Sequence, residues 1–269
     1  MKSKTLKEIY EELKIKEIVK IPTLHSKLDE CLNGGIPFGQ ITQIIGFPGI
    51  GKSQLCMQIA CSLQLLNKNK EEDFECIYFD SNNHYSLSRS KEIAETISSN
   101  SLNNQLSVDD ILKHIHIHKP PDLVTLLSDL ISIEKESKNI KLIIIDSLPS
   151  FYKLTDYPDS IKLQTLATLI QYLSNFSFRM NCCCIIVNHL TIKNINTNYT
   201  SIDFNLNSSC QSYFTKSCGI SFSSFIKLSL FMFQTIDKTQ LLIQSSYQLE
   251  HCIVNYEITE NGIIDTDYK

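Results

Sequence analysis

Residues 41–63 read ITQIIGFPGIGKSQLCMQIACSL, and this stretch decides the fold. The run ITQII has the branched apolar character of a buried strand, while QLCMQIACSL repeats its apolar positions at helical spacing. Between them, Gly46-Phe47-Pro48-Gly49-Ile50-Gly51-Lys52-Ser53 satisfies G-x-x-x-x-G-K-[ST] in the strand-then-helix setting that a phosphate-binding loop requires. Its glycines let backbone N–H groups wrap phosphate oxygens, and the helix that follows points the positive end of its dipole at them. By the same chemistry Lys52 is expected to reach the β- and γ-phosphates of a nucleotide, and the Ser53 hydroxyl to coordinate Mg²⁺.

The alternation continues outward. Apolar runs predict strands at 41–46, 76–80, 111–118, 142–146 and 182–188, and helical periodicity falls between them at 52–66, 87–98, 121–136 and 160–178. Such alternation dictates right-handed βαβ units and an α/β fold, a mostly parallel sheet flanked by helices. The C-terminal part differs: 226–234, 240–245 and 251–259 are strand-like runs with short polar turns and no helix between them, an antiparallel β-meander extending one sheet edge. Residues 1–20 form a short amphipathic N-terminal extension, with Leu6, Ile9, Tyr10 and Leu13 at helical spacing, and 21–269 form one domain. That helix either caps the domain or docks on a neighbouring subunit. Two polar stretches, 150–160 and 190–218, are read as functional loops.

Composition bounds the reading. With 269 residues, 42% hydrophobic and 20% charged, the chain has ample material for a core and is too apolar to be disordered. No apolar stretch approaches the ~20 residues of a membrane-spanning helix. The first 20 residues are too densely charged for a signal peptide, so the chain is read as intracellular, with no membrane partner. The formal net charge is −4, and Arg89 and Arg179 are the only arginines, which argues against a broad polycationic surface and leaves room for a local one. Of ten cysteines, Cys182-Cys183-Cys184 open a buried strand, Cys56 and Cys61 lie in a helical pattern, and no Cys-x-x-Cys pair occurs. They read as reduced structural thiols. His114, His116 and His118 alternate with isoleucines and so share one strand face; a polar face of an exposed strand is favoured over metal ligation.

The acidic half of a nucleotide site is supplied by Lys141-Leu142-Ile143-Ile144-Ile145-Asp146-Ser147, where Asp146 ends a hydrophobic strand and is placed to hold Mg²⁺ through water. Hydrolysis also needs a carboxylate that orients the attacking water. The strand tip Asp80-Ser81-Asn82-Asn83 offers Asp80, but Asn82 and Asn83 are amides, which cannot accept a proton. Asp80 is expected to hold the strand tip or the metal's surroundings.

Five segments, IPTLHSKLDECLNGGIPFGQITQIIG, GFPGIGKSQLCMQIA, IYFDSNNHYSLSR, KLIIIDSLPSFY and CCCIIVNHLT, in this order and spacing, resemble the RecA-like recombinase family. Within it the chain is similar to the eukaryotic Rad-fifty-one paralogues, from about Ile21 onward. Asp80-Ser81-Asn82 and Asn188-His189 look most like the D type, with the B and C types next. The resemblance implies a RecA-like P-loop ATPase core that takes ATP and Mg²⁺, with Asn188 and His189 as the γ-phosphate sensor. It further implies two loops at 150–160 and 190–218 that bring Lys153, with Lys162 just beyond the first, and Lys193 and Lys216 to single-stranded DNA. Assembly with other recombinase paralogues, a nuclear location, and a part in homologous recombination and double-strand break repair follow from it as expectations.

The departures refine those expectations. Asn82 stands where the family has its catalytic Glu, so at most a weak DNA-dependent ATPase is implied. The usual Asn-Gln sensor is Asn188-His189 here. Neutralising the backbone sets most nucleic-acid affinity, and the loops hold few lysines, so a single copy should bind DNA weakly, with Tyr199, Phe204 or Tyr213 available for stacking. With twenty residues before the core, the family's N-terminal helical domain is expected to be missing. The competing readings are an ordinary P-loop enzyme unrelated to DNA, such as a small-molecule kinase, and a purely structural subunit. Two arginines disfavour the arginine-rich lid of the first; intact Gly51-Lys52-Ser53 and Asp146 disfavour the second.

Overall fold

The apolar runs assemble into one large twisted sheet in the computed structural model, which describes residue 5 and residues 20–66, 74–100, 106–136, 139–190, 223–235, 240–246 and 249–266. In chain order the elements are β1 (Lys20–Ile21), α1 (Ser26–Cys31), β2 (Ile36–Pro37), β3 (Gln40–Gly46), α2 (Lys52–Ser62), β4 (Glu75–Asp80), α3 (Leu87–Asn100) and α4 (Val108–Leu112). There follow β5 (Ile115–His118), α5 (Leu123–Glu136), β6 (Ile140–Asp146), α6 (Leu148–Leu154), α7 (Asp159–Met180) and β7 (Cys183–His189). The chain closes with β8 (Ile226–Gln234), β9 (Gln240–Ser246), β10 (Cys252–Thr259) and β11 (Gly262–Asp265). Among the described residues the main sheet has nine strands in the order β11-β10-β9-β8-β3-β7-β6-β4-β5. Strands from β8 to β5 pair in parallel, and β8, β9, β10 and β11 pair antiparallel.

A parallel strand covered on both faces has no polar face to show, which is why LIII at 142–145 and CCIIV at 183–187 read as unbroken apolar runs. Alternate residues serve opposite cores. Ile44, Ile144, Ile185 and Val187 join Leu55 and Ile59 of α2, and Leu63 just after it, on one face. Ile143, Ile145 and Ile186 join Leu126 and Leu130 of α5 and Leu169, Leu173 and Phe176 of α7 on the other. Each such leucine, fully buried, contributes roughly 1.5–3 kcal/mol. Six of the described cysteines, Cys56, Cys61, Cys76 and Cys182 to Cys184, are buried free thiols. Burial pushes Cys61 up to about 12 and Cys56 and Cys76 well above the ordinary thiol value, so these groups are inert packing.

Several boundaries differ from the sequence reading. The run at 111–118 is not one strand: the Ser107 hydroxyl accepts the Asp110 N–H at 3.1 Å and caps a short helix, leaving only Ile115–His118 extended. On this edge strand His116 Nε2 lies 3.8 Å from Glu75, and the His118 ring stands 5.5 Å from that of Phe79. Of the polar stretch at 150–160, only residues 155–158 form a loop. Pro149 presets the first turn of α6, Phe151 is fully buried beneath it, and Asp159 already begins α7, which ends at Asn181 in the left-handed region. The meander gains a fourth strand, β11, because Glu260-Asn261 make a two-residue turn between the paired Thr259 and Gly262, with Gly262 at φ 115°. The N-terminal helix expected within 1–20 lies outside the described residues apart from Thr5 and Lys20. Lys20 itself pairs with Pro37 in a small two-stranded sheet, and its ammonium donates to the Leu32 carbonyl at 2.7 Å. The second loop, 190–218, lies outside the described residues apart from Leu190.

Candidate nucleotide-binding site

The glycine-rich loop leaves the C-terminal end of β3 and is shaped by the strands beneath it. A Cβ on Gly46 would lie 2.5 Å from the Met232 carbonyl oxygen of β8, so no larger residue fits there. Gly51, at φ 104°, faces Ile258 of β10, whose Cδ1 would sit 2.6 Å from an added Cβ. The Tyr256 hydroxyl, also from β10, donates to the Ile50 carbonyl at 2.7 Å. The meander therefore buttresses the loop. Gly49, at φ 80°, has nothing within 4 Å of its Cβ position, and this is the loop's open side.

Lys52 and Ser53 open the 11-residue helix α2, whose N-cap is Gly51 with no side-chain cap. The N–H groups of that first turn thus have no side-chain acceptor, the arrangement that receives an anion. The Lys52 ammonium is buried and donates to the carbonyls of Gly46 at 3.0 Å and Phe47 at 2.7 Å. Burial pushes it below the ordinary lysine value, and the charge of Asp146 opposes that shift.

Asp146 ends β6. Its Oδ2 accepts from the Tyr78 hydroxyl at 2.7 Å, and its carbonyl accepts from the Ser81 N–H at 2.9 Å. Asp80, the last residue of β4, is 4% exposed. Its carboxylate accepts the N–H groups of Asn82 at 3.2 Å, His84 at 3.1 Å and Tyr85 at 3.0 Å, so it organises the strand tip. Asn82 turns instead to α6, its amide donating to Ser150 Oγ at 3.0 Å. From there the contacts continue. Ser150 Oγ is 2.8 Å from Ser147 Oγ, and Ser147 Oγ is 3.0 Å from His189 Nε2. His189 lies beside Gly46 in the β3–β7 register, and its N–H donates to the Asn188 side-chain oxygen at 2.8 Å. Burial, reinforced by Lys52, pushes the imidazole below the ordinary histidine value, so it is neutral at pH 7.

The structure thus brings Gly46 to Ser53, Asp80, Asn82, Asp146, Asn188 and His189 to the C-terminal ends of four adjacent parallel strands, where α/β sheets bind ligands. Lys153 lies on α6. Lys162, on α7, holds its ammonium 5.7 Å from the centre of the Tyr152 ring. Lys193 and Lys216 lie outside the described residues. Sequence reasoning missed Tyr78, Ser147, Ser150 and Tyr256. Two of them carried a signal: hydroxyls three residues apart at a helix start, at Ser147 and Ser150, lie on one face.

An uncapped helix N-terminus, an ammonium, a hydroxyl and a hard carboxylate fit a nucleoside phosphate with Mg²⁺. Ser53 and Asp146 are the residues that would hold the metal, which supplies charge neutralisation at the β- and γ-phosphates when bound. No helix among the described residues is long and apolar enough to cross a membrane.

A parallel sheet with a phosphate loop after one strand and an acidic residue ending another defines a RecA-like P-loop core. The family model described as Rad51 matches residues 14–266, and the chain belongs to that family. It is 25% identical over 264 residues to the DNA repair protein RAD51 homolog 3 of Dictyostelium discoideum, covering 93% of this chain and 66% of that protein. It is 32% identical over 179 residues to the DNA repair and recombination protein RadB of Methanosphaera stadtmanae, covering 65% of this chain and 70% of that one. A third relative, the DNA repair protein RAD51 homolog 2 of Mus musculus, is 33% identical over 125 residues, covering 46% of this chain and 36% of the mouse protein. The chain therefore spans about two thirds of the first relative's length and about a third of the mouse protein's.

Proposed function

We propose that this protein is an ATP-binding recombinase paralogue that works as an accessory subunit in homologous recombination and double-strand break repair. The relatives' names, which speak of DNA repair and recombination, support that setting. One observation carries the accessory role: the phosphate loop, Lys52 and Asp146 are intact, while the position that would orient water holds Asn82, tied to Ser150. Such a site binds ATP and Mg²⁺ and turns ATP over slowly. ATP then acts as an assembly switch through contacts made in one state and not the other. Other recombinase paralogues are the expected partners and the nucleus the expected location. The D type, with B and C next, is the paralogue type that Asp80-Ser81-Asn82 and Asn188-His189 favour.

Single-stranded DNA is expected to meet Lys153 and Lys162, with Lys193 and Lys216 from the second loop. The arginine-rich lid that the kinase alternative calls for would have to come from two arginines that are both engaged elsewhere. Arg89 is held by Gln54, Glu92 and the Thr259 and Glu260 carbonyls, and Arg179 by Glu134 at 2.7 Å.

Equilibrium binding of a fluorescent ATP analogue, with phosphate release measured in parallel, tests the reading. Binding that Lys52→Ala abolishes, with turnover far below 1 s⁻¹, is expected. Turnover of about 1 s⁻¹ or more, the ordinary enzyme range, contradicts it.

A further inference from the structure

We propose that Tyr78 is the positioning residue for the metal-bound nucleotide: its phenol fixes the Asp146 carboxylate in the orientation that serves Mg²⁺. This rests on the ATP reading above and deepens it.

Strand geometry places the two residues. Tyr78 pairs with Ile144 across the parallel β4–β6 ladder. The next β6 residue on the same face is Asp146, toward the C-terminal end where the phosphate loop lies. A phenol leaning along the strand from position 78 reaches that carboxylate, and the hydroxyl donates to Oδ2 at 2.7 Å. The ring is 1% exposed and is held in turn. Tyr85 packs edge-on against it, with ring centres 4.8 Å apart and planes at 74°. The Tyr85 hydroxyl accepts from Ser90 at 2.8 Å, and the Tyr85 N–H is anchored on Asp80 at 3.0 Å. Asp80 therefore acts on the site at one remove, through the turn that carries Tyr85 and the ring that carries the donor.

A carboxylate at a strand end rotates freely unless something holds it. Here one oxygen is committed to the phenol, which leaves Oδ1 for the metal's hydration shell. Hydrogen-bond partners of metal-holding groups change metal affinity by roughly 10–100-fold when removed.

Tyr78→Phe keeps the ring and removes only the donor. In the full-length chain, ATP affinity is measured across a Mg²⁺ titration and again in EDTA. The Mg²⁺ concentration giving half of the metal-dependent gain should rise by roughly tenfold or more, while metal-free affinity stays put. In an Asp146→Asn background Tyr78→Phe should add nothing further. On the wild-type chain, the ¹³Cζ resonance of labelled Tyr78 should shift when Mg²⁺ and ATP are added together and not with ATP in EDTA; this readout does not depend on the variant folding. An unchanged Mg²⁺ dependence, an equal loss of metal-free binding, or a resonance blind to the metal overturns the assignment to Tyr78 alone. A wild-type chain whose ATP binding ignores Mg²⁺ overturns the ATP reading and this one with it.

Discussion

Asn82 donates its side-chain amide to Ser150 Oγ at 3.0 Å, so the tip of β4 is tied to helix α6. An amide in that place makes this tie and cannot take a proton from water.

Asn82→Glu restores a proton acceptor beside an otherwise complete site. Positioned general bases are worth roughly 10²–10⁴-fold in rate, and an increase in steady-state phosphate release of at least about tenfold is expected. Turnover equal to wild type would mean that proton abstraction is not the step that Asn82 slows.

His189 gives the fold a pH signature. In the unfolded chain it titrates near 6.5, about one histidine's ordinary value, whereas burial beside Lys52 lowers its folded value. Below pH 6.5 the unfolded state therefore binds the extra proton first, and stability falls as pH falls through that window. His189→Gln keeps a side chain able to bond Ser147 and removes the titration. Between about pH 7.5 and 5.5 the wild-type melting temperature should drop further than the variant's. A parallel decline of the two curves counts against it.

Asp265 pins the last strand to the lead-in helix α1. It accepts the Ser26 N–H at 2.8 Å, bonds the Ser26 hydroxyl and lies 2.7 Å from buried His25. Asp265→Asn should cost about 1–3 kcal/mol, the penalty for leaving a buried polar group, here His25, without its partner. A lowered urea midpoint at unchanged slope is the expected readout, and a shift below about 0.5 kcal/mol, the size of a surface effect, argues that the contact is decorative.

Lys153 and Lys162 are predicted to meet phosphates. Each lysine contact to a single strand contributes about 0.7 to the slope of log affinity against log salt. In the assembled complex, Lys153→Ala and Lys162→Ala should each flatten that slope by about this amount and weaken all sequences alike. A slope unmoved by both variants would remove helix α6 and the start of α7 from the DNA path.

The parallel core was legible because period and chemistry agreed: unbroken apolar runs, a phosphate loop between strand and helix, and an acidic strand end. The run at 226–234 matched β8 residue for residue. What escaped was structure written in caps and turns. Ser107 converts part of an apolar run into a helix, and Pro149 with buried Phe151 makes a polar stretch helical. The site was legible at residues whose chemistry is conspicuous, such as Lys52, Ser53 and Asp146. It was not legible at Tyr78 or Tyr256, because their roles arise from strand register and from contacts tens to hundreds of positions apart in the chain.

The most direct measurement is recovery of the tagged protein from native extract, with wild type and Lys52→Ala compared in ATP and in its absence, and the co-purifying chains identified by mass spectrometry. Recombinase paralogues that accompany the wild type in ATP and are lost with Lys52→Ala are the predicted result. Their absence, or retention indifferent to both ATP and Lys52, contradicts a nucleotide-switched recombination subunit.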